Sequence, residues 1–251
     1  MGALSAVRNG PALTLTLQNP GKANALDIEM LAQIDQQVSY VEADETIRVV
    51  VLRGASAGTF SSGADVREWA PLTPQQFSHS WIEYGNTIFG RFEGLRCPTV
   101  AAIEGICFGG GLELVLCADL RVASLGALFR FPEVGIGAIP GWQGGTRLAR
   151  IAGRGRALEA VLTMCTLDVN TASAWGVLNA AWPQDQFEQK LAEYVEQLIR
   201  ISPRAAALSK AAIFCETTIG DFYISAAEEI KTSADSAIGI QAFYNKSTPV
   251  F

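Results

Sequence analysis

The chain has 251 residues, 49% of them apolar and 18% charged, with a formal net charge of −6. That length makes one or two domains with a real core, and the composition excludes disorder, collagen-like repeats and small disulfide-stapled scaffolds. The acidic balance argues against a nucleic-acid partner, because phosphate backbones are held by basic faces.

Five cysteines, Cys97, Cys107, Cys117, Cys165 and Cys215, contain no CxxC pair. They read as buried thiols in a reducing compartment rather than as a zinc site. The one histidine, His79, leaves little for a His-rich metal centre. Residues 1–17 lack a basic segment followed by an apolar run and a small-residue cleavage site. The uncharged stretches Val134–Thr146 and Val169–Gln184 are too rich in Gly, Pro, Asn, Ser or Thr to span a bilayer. The expectation is a cytoplasmic globular protein without membrane contact.

Ala12–Leu17 alternates as a strand does. Pro20-Gly21 marks a loop over Gln18–Ala23, and Asn24 is a candidate helix cap. Leu31, Ile34, Val38 and Val41 then recur at helical spacing. Val49–Leu52 is a buried-strand run. The Gly/Ser-rich loop Gly54–Ala64 follows, with Asp65 placed to cap a short helix through Trp69. Beyond Pro71 and Pro74, Gln75–Phe92 reads as helix. Thr99–Ile103 and Leu120–Ala123 read as strands, separated by the loop Gly105–Gly111 and the short apolar helix Leu112–Ala118. Leu128–Gly145 is punctuated by Gly and Pro. Thr146–Cys165, Thr171–Gly176, Asp185–Ile201, Pro203–Cys215 and Asp221–Ile238 read as helices. Strands alternating with helices, followed by helices alone, predict an α/β core and a helical C-terminal part, with Ser202-Pro203 as the boundary.

Three segments could carry chemistry. Phe108-Gly109-Gly110-Gly111-Leu112-Glu113 opens an apolar helix. Its glycines either allow tight packing or leave N–H groups free for an oxygen that gains negative charge. Glu113 sits among Leu112, Leu114, Val115 and Leu116. It either points outward from a half-buried turn or is a carboxyl in an apolar cleft, tuned toward acid/base work. Glu133, in Phe131-Pro132-Glu133-Val134-Gly135, is a possible second member of an acid/base pair. Thr59–Asp65 is small enough for a ligand to lie against its backbone and could supply a second N–H donor. Gly54-Ala55-Ser56-Ala57-Gly58 matches the G-x-S-x-G nucleophile elbow, but no helix follows at once and His79 is the one available base. There is no GxGxxG and no phosphate-binding loop. Trp142, Trp175 and Trp182 read as core or interface residues rather than stacking platforms.

Taken together, these segments resemble the crotonase (enoyl-CoA hydratase/isomerase) family along essentially the whole chain. The resemblance rests on Asn19–Leu26, Phe60–Asp65, Phe108–Glu113, Phe131–Gly137, Ile139-Pro140-Gly141, Gly144–Leu148, and Ala242–Lys246 with Pro249 and Phe251. It implies an α/β fold: a crotonase-like spiral of repeated β-β-α units over residues 1–201, and a helical trimerisation region over 202–251. It also implies a homotrimer or dimer of trimers, an acyl-CoA thioester substrate, and no metal or redox cofactor. The thioester oxygen would lie between the N–H groups of Ala64 and Gly110. Glu113 and Glu133 would be the catalytic pair, with Glu113 as base toward water and Glu133 as proton donor to Cα, although these roles could be shared or exchanged. Coenzyme A would run along Ala23–Ala25 and Ser62–Val66, including Asp65. Gly109, Pro132, Gly141 and Trp142 would line the acyl site, and Lys246 would approach the phosphates.

Some positions depart from the family pattern. Arg130 and Phe131 precede Pro132-Glu133, Trp142 replaces a small residue, and Gln143 alters the Gly141–Thr146 segment. Ile238 and Ser247 stand where an acidic and a basic residue are common. Phe131 and Trp142 are therefore expected to restrict the acyl chain. Hydration of a 2-enoyl-CoA is the leading expectation. The alternatives are an isomerase or specialised dehydratase of the same family, a non-catalytic acyl-CoA binder or assembly subunit, and, more remotely, a serine hydrolase built on Ser56. RNA binding, found in some relatives, does not fit the acidic charge.

Overall fold

The structure, a computed structural model, describes residues 2–55, 58–214 and 219–251, with the backbone alone at 219–221. Ser56 and Cys215, both singled out in the sequence, lie outside the described residues. The chain starts with a hairpin of β1 (Ala3–Asn9) and β2 (Ala12–Gln18), paired from Ala3–Gln18 to Asn9–Ala12. Alternation buries Leu13, Leu15 and Leu17. β1 is exposed along most of its length, so its sequence carries no such pattern. The next helix, α1 (Ile28–Ala43), is capped by Asp27 and not by Asn24: Asp27 Oδ1 accepts from the Met30 N–H at 2.9 Å. Asn24 instead adopts φ +54° and pins a loop, accepting from the Asn19 N–H and donating to the Thr59 carbonyl.

Three turns of a spiral follow. The first contains β3 (Val49–Gly54), β4 (Thr59–Ser61), α2 (Val66–Trp69), α3 (Pro74–Gln76), a π-helical stretch at Phe77–Glu83, and α4 (Tyr84–Glu93). The second contains β5 (Thr99–Ile103), β6 (Ile106–Phe108) and α5 (Gly110–Val115). The third contains β7 (Leu120–Ser124), β8 (Leu128–Arg130), a 3-10 turn at Glu133–Ile136, α6 (Gly144–Ala152) and α7 (Arg154–Thr163). The chain continues through β9 (Leu167–Asp168), α8 (Val169–Ala174), β10 (Ala180–Trp182) and α9 (Phe187–Ile199) to α10 (Pro203–Phe214), α11 (Ile219–Thr232) and α12 (Ala234–Asn245).

Each turn gives one strand to each of two sheets, ordered β1-β2-β3-β5-β7-β10 and β4-β6-β8-β9. Successive turns pair in parallel, as β3 with β5, β5 with β7, β4 with β6 and β6 with β8. The expected spiral of β-β-α units with a helical C-terminal region is therefore present. Two expected helices are each divided. Gly153, at φ +89°, separates α6 from α7, and Ser233 caps a separate α12 by accepting from the Ser236 N–H.

The main core lies between the sheets and helices α1 and α4 to α6. A second apolar layer joins Val49, Val51, Val100, Ala102 and Val122 to Phe187 and Leu191 of α9. β3 and β5 are consequently apolar on both faces, and each fully buried Val or Leu contributes about 1.5–3 kcal/mol. Cys97, Cys107 and Cys117 are buried, whereas Cys165 is partly exposed; all four are free thiols. Among the described residues, no helix is long and apolar enough to cross a membrane.

An ionic tie fastens α10 to the core. Asp119 Oδ2 accepts from the Lys210 ammonium at 2.8 Å and from the Thr99 N–H and hydroxyl at 2.8 and 2.9 Å. Asp119→Ala strands these donors in a largely buried place. It is expected to cost about 3 kcal/mol in denaturant unfolding, and a change below about 0.5 kcal/mol would show that the tie is idle.

Candidate active site

The turn between β6 and α5 is built on glycines. Gly109 has φ +50° and ψ −128°, a conformation L side chains avoid, and a Cβ there would lie 2.8 Å from Glu133 Oε1. Gly110 opens α5, so its N–H has no intrahelical acceptor. A Cβ on Gly110 would lie 3.1 Å from the Ala64 nitrogen, which places the two N–H groups side by side. The Ala64 backbone is fixed by its neighbours: the Leu26 N–H donates to the Gly63 carbonyl, and the Asp65 N–H to the Leu26 carbonyl, both at 2.8 Å. Among the described residues, the Ala64 and Gly110 N–H groups donate to nothing within the protein. Two preorganised donors are thus available to one oxygen atom.

Glu113 lies one helical turn beyond Gly109 and is 2% exposed, so it faces inward. Its Oε1 accepts from the Trp142 and Gly144 N–H groups, both at 2.8 Å. The intervening Gln143 adopts φ +66°, which turns both donors toward the same oxygen. Burial pushes the Glu113 carboxyl up to about 8, with Glu133 adding repulsion and the two N–H donors pulling the other way. Glu133 begins the 3-10 turn. Its Oε2 is buried with no hydrogen-bond partner in the protein, and burial pushes this carboxyl up to about 7.

Both carboxyls line one cavity of about 100 Å³ with Ala64, Gly109 and Gly110. Ser62, Val66, Pro132, Gly141 and Trp142 line it too. Ala23 borders an adjoining groove with Pro20 and Asn24, joined to the site by the Ser62 N–H donating to the Ala23 carbonyl at 2.9 Å. Ala25 is buried beside that loop. Asp65 caps α2 and is ion-paired with Lys22, so it acts on the loop from behind. Lys246 ends α12, exposed, and is not brought into the cavity wall.

Phe131 corrects the expectation that it restricts the acyl site. It is 1% exposed, packed near Gly144 behind Glu113, and is not part of the cavity wall. The sequence reading missed the apolar wall of Trp69, Phe77, Trp81, Ile82, Ile136 and Ile139. It also missed Arg147, a buried guanidinium that donates to the Trp142 carbonyl at 2.7 Å and to Glu93 Oε2 at 2.8 and 3.0 Å. The sequence carried no signal for it, because the burial of Arg147 is set by tertiary packing. His79 is exposed, with Nδ1 between Ser78 Oγ and the Gln75 carbonyl, and lies outside the cavity wall. A larger cavity of about 430 Å³ lies between α6 and α10, but neither carboxyl lines it. Size alone does not locate the chemistry.

The chain is similar to known proteins over nearly its whole length. The enoyl-CoA hydratase/isomerase family profile matches residues 8–251. A probable mitochondrial enoyl-CoA hydratase 2 of Arabidopsis thaliana is 31% identical over 244 residues, covering 95% of this chain and 81% of that protein. A short-chain-enoyl-CoA hydratase of Clostridium acetobutylicum is 32% identical over 206 residues, covering 82% and 78%. The crystal structure of an enoyl-CoA hydratase from Bacillus anthracis superposes with a TM-score of 0.93 at 30% identity, covering 99% of this chain and 98% of that one. The chain belongs to the enoyl-CoA hydratase/isomerase family, in the crotonase superfamily. It is an enzyme of that hydratase/isomerase type.

Burial of Glu113 has a consequence for stability. A carboxyl raised from 4.5 to about 8 binds its proton more tightly folded than unfolded. Its contribution is therefore complete below the unfolded value and is lost as pH rises through about 8. Glu113→Gln removes this ionisation while its amide oxygen can still accept from both N–H groups. Between about pH 6 and pH 9 the melting temperature of the wild type should fall several degrees further than that of the variant. Parallel curves would contradict the burial of an ionisable Glu113.

Proposed function

We propose that the protein adds water across the double bond of a 2-enoyl-CoA thioester, and reversibly dehydrates the 3-hydroxyacyl-CoA. The observation that carries this reading is the convergence of two carboxyls of raised pKa on a cavity that also holds two free N–H donors. The thioester oxygen accepts from Ala64 and Gly110, which stabilise the enolate charge as it develops. Glu113 takes a proton from water as the water oxygen bonds to Cβ, and the double-bond electrons move toward Cα and the thioester oxygen. Glu133 delivers a proton to Cα. Proton transfer back between the carboxyls through solvent completes the cycle. The addition is redox-neutral and needs no cofactor beyond the coenzyme A of the substrate.

Gly141 helps place the water through its backbone, and its carbonyl is held by Asn86 Nδ2 at 3.0 Å. Coenzyme A lies along Ala23–Ala25 and Ser62–Val66, with Lys246 approaching its phosphates. Residues 202–251 mediate a homotrimer or dimer of trimers; the single chain leaves Phe243 and Tyr244 exposed on α12, which suits that role. An isomerase needs one carboxyl to carry a proton between carbons, so the presence of two in the cavity favours hydration.

Crotonyl-CoA loses its conjugated-thioester absorbance on hydration. Wild type should lower that absorbance rapidly to its equilibrium level. Glu113→Gln and Glu133→Gln should each lower kcat by on the order of 10²-fold or more with little change in coenzyme A affinity. Near-wild-type turnover in either variant would overturn the two-carboxyl mechanism. No absorbance loss with thioester still bound would favour another family reaction or a binding role.

A further inference from the structure

The wall of the cavity is uneven in exposure. Ile136 and Ile139 are 59% and 75% exposed. Trp142, at its buried end, is 1% exposed and backed by Trp81 and Phe89 at ring-centroid distances of 5.5 and 5.1 Å. Its ring reaches the oxyanion turn: a Cβ on Gly110 would lie 2.5 Å from Trp142 Cζ3. The indole is also anchored, because Nε1 donates to the Trp81 carbonyl at 3.2 Å. It fits because α4 has a glycine beneath it, since a Cβ on Gly85 would lie 2.2 Å from Nε1. An indole packed by two rings, tied by one hydrogen bond and seated on a glycine does not swing aside cheaply.

We propose that Trp142 sets the acyl chain length. Its indole closes the buried end of the cavity and restricts the enzyme to short-chain acyl thioesters, and Gly85 is the recess that admits it. This rests on the placement of the thioester oxygen at Ala64 and Gly110 given under Proposed function. From there, an acyl tail that stays inside the cavity meets Trp142 and Trp81, which line it. The remaining space, about 100 Å³, is small beside the roughly 300–1,000 Å³ of pockets that enclose drug-sized ligands. On this proposal the indole leaves no buried room for a chain of eight carbons.

The test is calorimetric binding of butyryl-, hexanoyl- and octanoyl-CoA to wild type, Trp142→Phe and Trp142→Ala, with folding of each checked by circular dichroism. These saturated thioesters cannot be hydrated, so the series reads chain length apart from the chemistry. Wild type should show no gain in affinity from butyryl to octanoyl. Trp142→Ala should gain about fourfold per added methylene that becomes buried, and Trp142→Phe should fall between. A wild-type affinity that climbs steadily with chain length overturns the proposal, even if no variant folds. So does a folded variant that keeps the wild-type profile. Length discrimination without crotonyl-CoA hydration would defeat the hydratase reading alone, and hydration without length discrimination would defeat this one alone.

Discussion

Two hydrogen bonds hold the site together: the Trp142 and Gly144 N–H groups on Glu113 Oε1, each 2.8 Å long. They join the helix that follows the Gly109–Gly111 turn to the start of α6, across 29 and 31 residues of sequence. Moving that loop would disturb several things together. Trp142 would leave its seat on Gly85, the Arg147 link to Glu93 would lose the Trp142 carbonyl, and Glu113 would lose its fixed position. Strain at Gln143, a non-glycine residue at φ +66°, is tolerated because it aims both donors at one oxygen.

The energetics of that carboxyl explain its chemistry. Hydrogen bonds to a charged group contribute about 1.5–3 kcal/mol each, whereas a carboxylate taken out of water costs several kcal/mol even after relaxation. Two donors therefore offset burial only in part. The remainder appears as a carboxyl near 8 in place of 4.5, equivalent to on the order of 5 kcal/mol favouring its protonated form. Glu133 is raised to about 7 by the same cause. Such a pair titrates as a unit, and around neutral to slightly alkaline pH it holds one proton between two carboxyls. Glu113, the higher of the two, holds that proton more often, so the hydration proposed above runs from the less populated state in which Glu133 carries the proton and Glu113 is the base.

What could be read from the sequence followed the strength of the local signal. Ala12–Leu17, Val49–Leu52 and Leu31–Val41 were legible because burial imposes a period on strands and helices long enough to show one. β4, β6, β8 and β9 have two or three residues and no period to show, so the second sheet was hidden in segments that read as loops. Asn24 and Asp27 are both residue types that cap helices, and the backbone conformation that decides between them is tertiary. The Gly109–Gly111 turn and Glu113 stood out because a carboxyl among aliphatic neighbours breaks the ordinary pattern. Phe77, Trp81 and Ile82 did not, since aromatic and aliphatic residues at helical spacing read as core. They do pack in or against the core, and from their π-helical stretch they line the cavity as well. Phe131 and Trp142 were equally suspect as bulky departures, and only packing separates the one behind Glu113 from the one in the wall.

The sharing of one proton between two buried carboxyls is most directly tested by an infrared titration of protein labelled with carboxyl-13C glutamate, using Glu113→Gln and Glu133→Gln to assign the bands. The account predicts protonated carboxyl bands that survive well above the ordinary glutamate range and disappear in two steps with apparent midpoints near 7 and 8. Each variant should lose one of those bands. If every glutamate carboxyl is fully ionised by about pH 6, the site holds no shared proton and the acid/base account fails.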